Sequence, residues 1–181
     1  MALVPPLDMP ADEVRALLAP LRNDLSIAVY NCQNAFSIGA IIRVAHSFLV
    51  RELFVIGDAP FYEKASMGMQ RYETIVTLPD ADAFFGHVAG RPVWAVEKDA
   101  ATIALYDVTS YPANVVFVLG SERAGLPASV VARADAVVGI PMYGVNHSFP
   151  VAVAAGMILS DWARRHYRPG TVVVGPARKS R

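Results

Sequence analysis

The arrangement of apolar runs constrains this chain more than any other feature. Short runs rich in Val, Ile, Leu and Phe recur at 25–30 (LSIAVY), 52–57 (ELFVIG), 74–78 (TIVTL), 92–96 (PVWAV), 115–120 (VVFVLG) and 136–141 (AVVGIP). Helix-like segments separate most of them, notably IGAIIRVAHSFL, DADAFFGHVA and PASVVARA. Strands that are apolar at successive positions are buried on both faces, and the alternation with helices supplies the covering layers. The pattern predicts an α/β fold: a single domain with a mostly parallel sheet flanked by helices. Of 181 residues, 54% are hydrophobic and 18% charged, which excludes a disordered chain and suits a dense core or a buried subunit interface.

No repeat, low-complexity tract or linker divides the chain. Residues 10–21 read as a first helix, with Pro10 in its opening turn and Val14, Leu17, Leu18 and Leu21 on one face. The expected division is an N-terminal extension with a short helix (1–24), the main domain (25–167) and a basic C-terminal tail (168–181).

Sixteen basic residues balance sixteen acidic ones, so no global positive field marks a nucleic-acid partner. Local clustering must decide, and Arg164, Arg165, Arg168, Arg178, Lys179 and Arg181 gather near the C-terminal end. They read either as a solvated tail or as a phosphate-contacting arm. Cys32 is the single cysteine, so no intrachain disulfide forms, and the four histidines lack paired ligand spacing with it. No metal is expected. The N-terminal residues lack a signal-peptide pattern, and the apolar run 149–159 is shorter than the roughly 20 residues that span a bilayer. A cytoplasmic protein with no membrane association is expected.

In parallel sheets, ligands bind beyond the carboxyl ends of the strands, which directs attention to three segments. GSERAGLP (120–127) follows an apolar strand, and its small residues allow backbone to approach a ligand. Gly120 and Gly125 have phosphate-loop spacing, but Leu126 and Pro127 stand where Lys and Ser or Thr are required. No G-x-G-x-x-G supports a nicotinamide site. IPMYGVNHSFPVAVAAG (140–156) sets a rigid loop before a helix, with Ser148 as the expected N-cap and Pro150 in the first turn. NCQNAFSIGAIIRVAHSF (31–48) embeds Arg43 among aliphatic residues, where a guanidinium must leave sideways or find a partner.

In this order, the three segments resemble the signature motifs of the SPOUT class, specifically the SpoU/TrmH-like RNA ribose 2′-O-methyltransferases. Asn34 and Gly39-Ala40-Ile41-Ile42-Arg43 resemble the first motif; Gly120, Glu122, Gly125 and Leu126 the second; Ile140-Pro141-Met142, Gly144 and Ser148 the third. The resemblance covers residues 25–165. It implies a C-terminal trefoil knot, a homodimer, S-adenosyl-L-methionine as cofactor and structured tRNA or rRNA as substrate. Backbone groups of Leu119, Gly120, Ile140 and Met142, with Phe149, are implied in cofactor binding. Arg43, Glu122 and Ser148 are implied in catalysis, and Asn34, Ser37, Asn146 and His147 in substrate binding.

Two positions depart from the family. Ser37 stands where members commonly have Asn, and Ser148-Phe149-Pro150 replaces a Ser-Leu-Asn triplet. Pro150 has neither a side-chain donor nor a backbone N–H, so the departures bear on positioning the acceptor ribose rather than on the cofactor. The alternative function is a noncatalytic knotted module that binds RNA or senses the cofactor. A third is methylation of a base by a related SPOUT enzyme.

Overall fold

Successive strand residues point to opposite faces, so a sheet covered on both sides needs apolar residues at odd and even positions alike. The chain meets that demand. The computed structural model describes residues 2–3, 8–169 and 173–174. Its elements are β1 (Ala2–Leu3), α1 (Ala11–Leu18), β2 (Leu25–Tyr30), α2 (Ala35–Ser47), β3 (Leu53–Ile56), α3 (Glu63–Ser66), β4 (Ile75–Leu78), α4 (Ala81–His87), β5 (Val93–Val96), β6 (Ile103–Ala104), β7 (Val115–Leu119), α5 (Ala128–Val131), β8 (Ala136–Gly139), α6 (Val151–His166) and β9 (Val173–Val174).

Strands β2 to β8 form one seven-stranded sheet in the order β4-β3-β2-β7-β5-β8-β6, and β1 pairs with β9. Every pairing in the large sheet is parallel. In the central pair, Leu25 lies opposite Val115 and Val29 opposite Leu119. On one face Leu25, Ile27, Val29, Phe117 and Leu119 join Ile38, Ile41 and Ile42 of α2 and Ala155, Ile158 and Leu159 of α6. On the other, Ala28, Phe54, Val116 and Val118 pack with Phe84 of α4 and Val130 of α5. Each large aliphatic or aromatic side chain so buried contributes about 1.5–3 kcal/mol relative to exposure.

The first helix ends sooner than its apolar pattern predicts. Only Ala11–Leu18 is α-helical, and Ala19–Leu21 tightens into a 3₁₀ turn. Pro20 causes this, because it has no N–H to donate to the preceding turn. Helix α2 starts earlier than expected, at Ala35, because Asn34 caps it by accepting from the N–H groups of Phe36 and Ser37. The expected role of Ser148 as N-cap is overturned. The cap of α6 is Pro150, with φ −53° and ψ 135° and no side-chain cap bond, and its carbonyl accepts from the Val153 and Ala154 N–H groups. Proline fixes φ and removes an N–H that would be an orphan donor at a helix start, so the helix begins after it and Ser148 stays in the loop.

The two-residue strands β1, β6 and β9 escaped the sequence pattern, being too short for periodicity to register. Arg178, Lys179 and Arg181 of the expected basic tail lie outside the described residues.

Candidate active site at the carboxyl ends of the sheet

The carboxyl ends of β5, β7 and β8, three neighbours in the sheet, release their chains on the same side. The segments that follow enclose a cavity of about 290 Å³. Its walls include Glu97 and Asp99 after β5, Leu119, Gly120 and Glu122 after β7, Ile140, Met142, His147, Ser148 and Phe149 after β8, and Val151 and Ala154 of α6. Leu119 and Ile140 are buried, so those walls combine apolar side chains with approachable backbone, the usual make-up of a small-molecule site.

The wall after β7 is a closed turn. The Gly125 N–H donates to the Ser121 carbonyl at 2.9 Å, and the Ala124 N–H donates to Ser121 Oγ at 3.2 Å. Gly125 has φ +62°, which glycine adopts without steric penalty. Glu97 braces this turn from β5: its Oε2 accepts from the Leu126 N–H at 3.1 Å. A Cβ on Gly125 would stand 2.6 Å from that same oxygen.

Ser37, buried in the first turn of α2, reaches the cavity wall. Its Oγ donates to Glu122 Oε1 at 2.8 Å across 85 residues of sequence. Asn34 itself is committed to capping α2. Cys32 is buried nearby, and burial pushes its thiol pKa up; a backbone hydrogen bond at Asn34 opposes the rise and the Glu122 charge adds to it. The thiol therefore stays protonated, unsuited to nucleophilic work. Arg43 lies two helical turns beyond Phe36 on an exposed face of α2. Its side chain has no partner among the described residues, and it does not line the cavity of its own chain.

The loop before α6 is open to solvent. Tyr143 is 92% and Val145 fully exposed, and the Asn146 amide donates to the Ser148 carbonyl at 3.2 Å. The structure thus gathers eight of the sequence-predicted residues around one cavity: Leu119, Gly120, Glu122, Ile140, Met142, His147, Ser148 and Phe149. Ser37 joins through Glu122, while Asn34, Asn146 and Arg43 stand outside the lining. Glu97 and Asp99 escaped the sequence reading, although EKD follows the apolar run PVWAV and so sits at the carboxyl end of a parallel strand, the signal used for the other two loops. Among the described residues, no helix is long and apolar enough to cross a membrane. No group of three or more metal-ligating side chains occurs among them either.

The chain is similar to known proteins. A tRNA (guanosine(18)-2'-O)-methyltransferase of Thermus thermophilus is 27% identical over 164 residues, spanning 87% of this chain and 83% of that protein. A 23S rRNA (guanosine-2'-O-)-methyltransferase of Coxiella burnetii is 26% identical over 74% of this chain, which spans only 55% of that longer protein. Among solved structures, the A. aeolicus TrmH/SpoU tRNA modifying enzyme superposes with a TM-score of 0.75 at 25% identity, over 86% of this chain and 81% of that one. The SpoU methyltransferase AviRb of Streptomyces viridochromogenes, in complex with AdoMet, gives 0.71 at 27% identity, over 87% of this chain and 63% of that one. The sequence model of the SpoU rRNA Methylase family matches residues 24–160, a span that includes every segment lining the cavity. With more than half of its length matched, the chain belongs to the SpoU rRNA Methylase family.

Proposed function

We propose that this chain is an S-adenosyl-L-methionine-dependent methyltransferase that modifies a ribose 2′-hydroxyl in structured tRNA or rRNA. The observation that carries the reading is the cavity itself: the second and third family segments and the turn after β5 form its walls at the carboxyl ends of β5, β7 and β8, and the first family segment reaches them through the Ser37–Glu122 bond. Relatives similar in sequence are named as 2'-O-methyltransferases of tRNA and rRNA.

The residues present fit the cofactor. The closed turn at 120–125 and the segment 140–142 offer backbone donors and acceptors, and Phe149 and Val151 offer apolar surface. Glu97, Asp99 and Glu122 outnumber Lys98 and Arg123 on the walls, a balance suited to a cationic sulfonium. In this proposal Leu119, Gly120, Ile140 and Met142 hold the adenosine and Phe149 packs against it. When bound, S-adenosylmethionine supplies a methyl group already activated as an electrophile.

The protein's remaining task is to align the acceptor hydroxyl and manage its proton. A serine hydroxyl has one proton to donate, and Ser37 gives it to Glu122, so toward a ribose hydroxyl Ser37 acts as an acceptor. Ser148 and His147 line the same cavity, and Asn146 and Asn34 hold the loop and the helix start in place. Arg43 stabilises the developing alkoxide and grips a neighbouring phosphate as a hydrogen-bond donor, since a guanidinium has donors and no acceptor. The proton leaves through phosphate, water or His147.

The proposal extends to a homodimer, to the C-terminal trefoil knot, to a cytoplasmic location and to the division 1–24, 25–167 and 168–181. Supporting the knot, the segments after β7 and β8 bound one cavity with the start of α6. The test is mass spectrometry of nucleosides from unmodified tRNA and rRNA incubated with the purified protein and methyl-labelled S-adenosylmethionine. Label in a 2′-O-methylnucleoside is expected. Cofactor binding with no label in either RNA would favour the noncatalytic module, and Pro150→Asn would then be the first restoration to make.

A further inference from the structure

Phe36 and Tyr62 are 61% and 45% exposed, yet they are not scattered surface residues. Their rings stack, with centroids 6.4 Å apart and planes within 26° of parallel. The fold builds this pair deliberately. The Tyr62 N–H donates to the Ala35 carbonyl at 2.9 Å, tying the segment before α3 to the first residue of α2. That approach depends on Gly39, where a Cβ would stand 2.5 Å from the Tyr62 carbonyl oxygen and 2.8 Å from the Ala65 Cβ. The family glycine of the first motif thus makes room for the strand-to-helix segment that carries Tyr62.

The surroundings of the pair are those of a nucleotide site. Ser37, the next residue after Phe36, is bonded to Glu122 of the cavity wall. Phe36, Ala40 and Arg43 follow the i, i+4, i+7 spacing of one helix face, which places Arg43 about 10 Å along the axis from Phe36. Ala40, half-buried, lies between them on that face. Aromatic rings and an unpaired guanidinium on one face match the two parts of a nucleotide, a π-surface and an anion.

We propose that Phe36 and Tyr62 form a stacking platform for an unpaired RNA base next to the methylated nucleotide, with Arg43 holding the intervening phosphate. The inference rests on the RNA reading of the site and adds to it two positioning residues and a requirement: the target ribose is flanked by a base free to leave its helix. Every base has a π-face, so the platform fixes the local shape of the substrate and not its sequence.

The test uses an RNA hairpin carrying a single 2-aminopurine in its loop, a base whose fluorescence is quenched when it stacks. Wild-type protein should quench it. Phe36→Ala with Tyr62→Ala should abolish the quenching and weaken binding by about 5-fold to 150-fold, with S-adenosylmethionine affinity by calorimetry unchanged. Phe36→Leu with Tyr62→Leu keeps apolar surface but removes the rings, and should behave like the alanine pair; Phe36→Trp should restore quenching. Unchanged binding and quenching in the double alanine variant would overturn the proposal, as would no quenching by wild type. A shift of the double variant from dimer to monomer in sedimentation would also overturn it, assigning the rings to a second copy. Quenching without methyl transfer would sink the enzyme reading and leave the platform standing; methyl transfer unaffected by loss of the rings would do the reverse.

Discussion

Gly120 has no room for a side chain: a Cβ there would lie 2.1 Å from the Gly125 carbonyl carbon and 2.5 Å from the Leu126 nitrogen. Both neighbours are backbone, held by the Ser121–Gly125 pairing and by Glu97, so neither yields cheaply. Gly120→Ala should lose cofactor binding by calorimetry and about 1–3 kcal/mol of stability by urea melts. Full cofactor affinity in that variant would mean the turn is softer than its geometry. Arg43 makes a different prediction, because it is exposed and lacks a side-chain partner among the described residues. Arg43→Lys keeps the charge but loses the planar fork, so turnover should fall about a hundredfold or more with stability and cofactor affinity intact. A fully active lysine variant would show that charge alone suffices.

At the scale of elements, α6 is held by a cluster near its C-terminal end. Asp161 Oδ2 accepts from Tyr111 Oη at 2.8 Å and from Arg165 Nε at 2.7 Å, and Oδ1 accepts from Arg164 at 2.9 Å. Burial alone would raise the Asp161 pKa, but the bonds from Arg165, Arg164 and Tyr111 outweigh it and hold the carboxyl below its ordinary value of 3.8. Tyr111 shifts upward, first through burial and then through the bond to Asp161. A depressed carboxylate stabilises the fold fully above its unfolded pKa and loses that contribution as pH falls through the folded value. Asp161→Asn should therefore be less stable than wild type at neutral pH, and the gap should narrow as pH drops below about 3.8. A gap constant down to the lowest pH where the fold persists would exclude this linkage. A raised tyrosine works the other way, stabilising below its ordinary value of 10.0 and losing that contribution above it.

At the scale of the molecule, α6 leaves a groove of about 380 Å³ beside Leu105, Tyr106, Val153, Gly156 and Met157. Tyr106 is 55% and Val153 47% exposed. We propose this groove as the face on which a second copy packs. Val153→Glu would bury an unpaired carboxylate there, at a cost of several kcal/mol. Dimer dissociation should strengthen by about a hundredfold or more in sedimentation, and methyl transfer should fall with it if Arg43 serves the cavity of its partner. An unchanged dimer would move the interface elsewhere.

Periodicity and motif chemistry by themselves determined the layered parallel fold, its six longer strands and the walls of the cavity after β7 and β8. Those are local properties: an apolar run between glycines has few ways to be buried, and the turn at 120–125 requires its glycines wherever it occurs. Tertiary structure alone decided what meets across distance. Glu97 came to brace a turn 29 residues away because β5 and β7 are neighbours in the sheet, and strand order is not written in any single strand. Ser37 found Glu122 and Tyr62 found Phe36 through packing of the same kind, whereas Ser148 lost its capping role to Pro150 locally, through the fixed φ and missing N–H of proline. Spacing sets a residue's face and period; only the packed sheet and its helices set which face it meets.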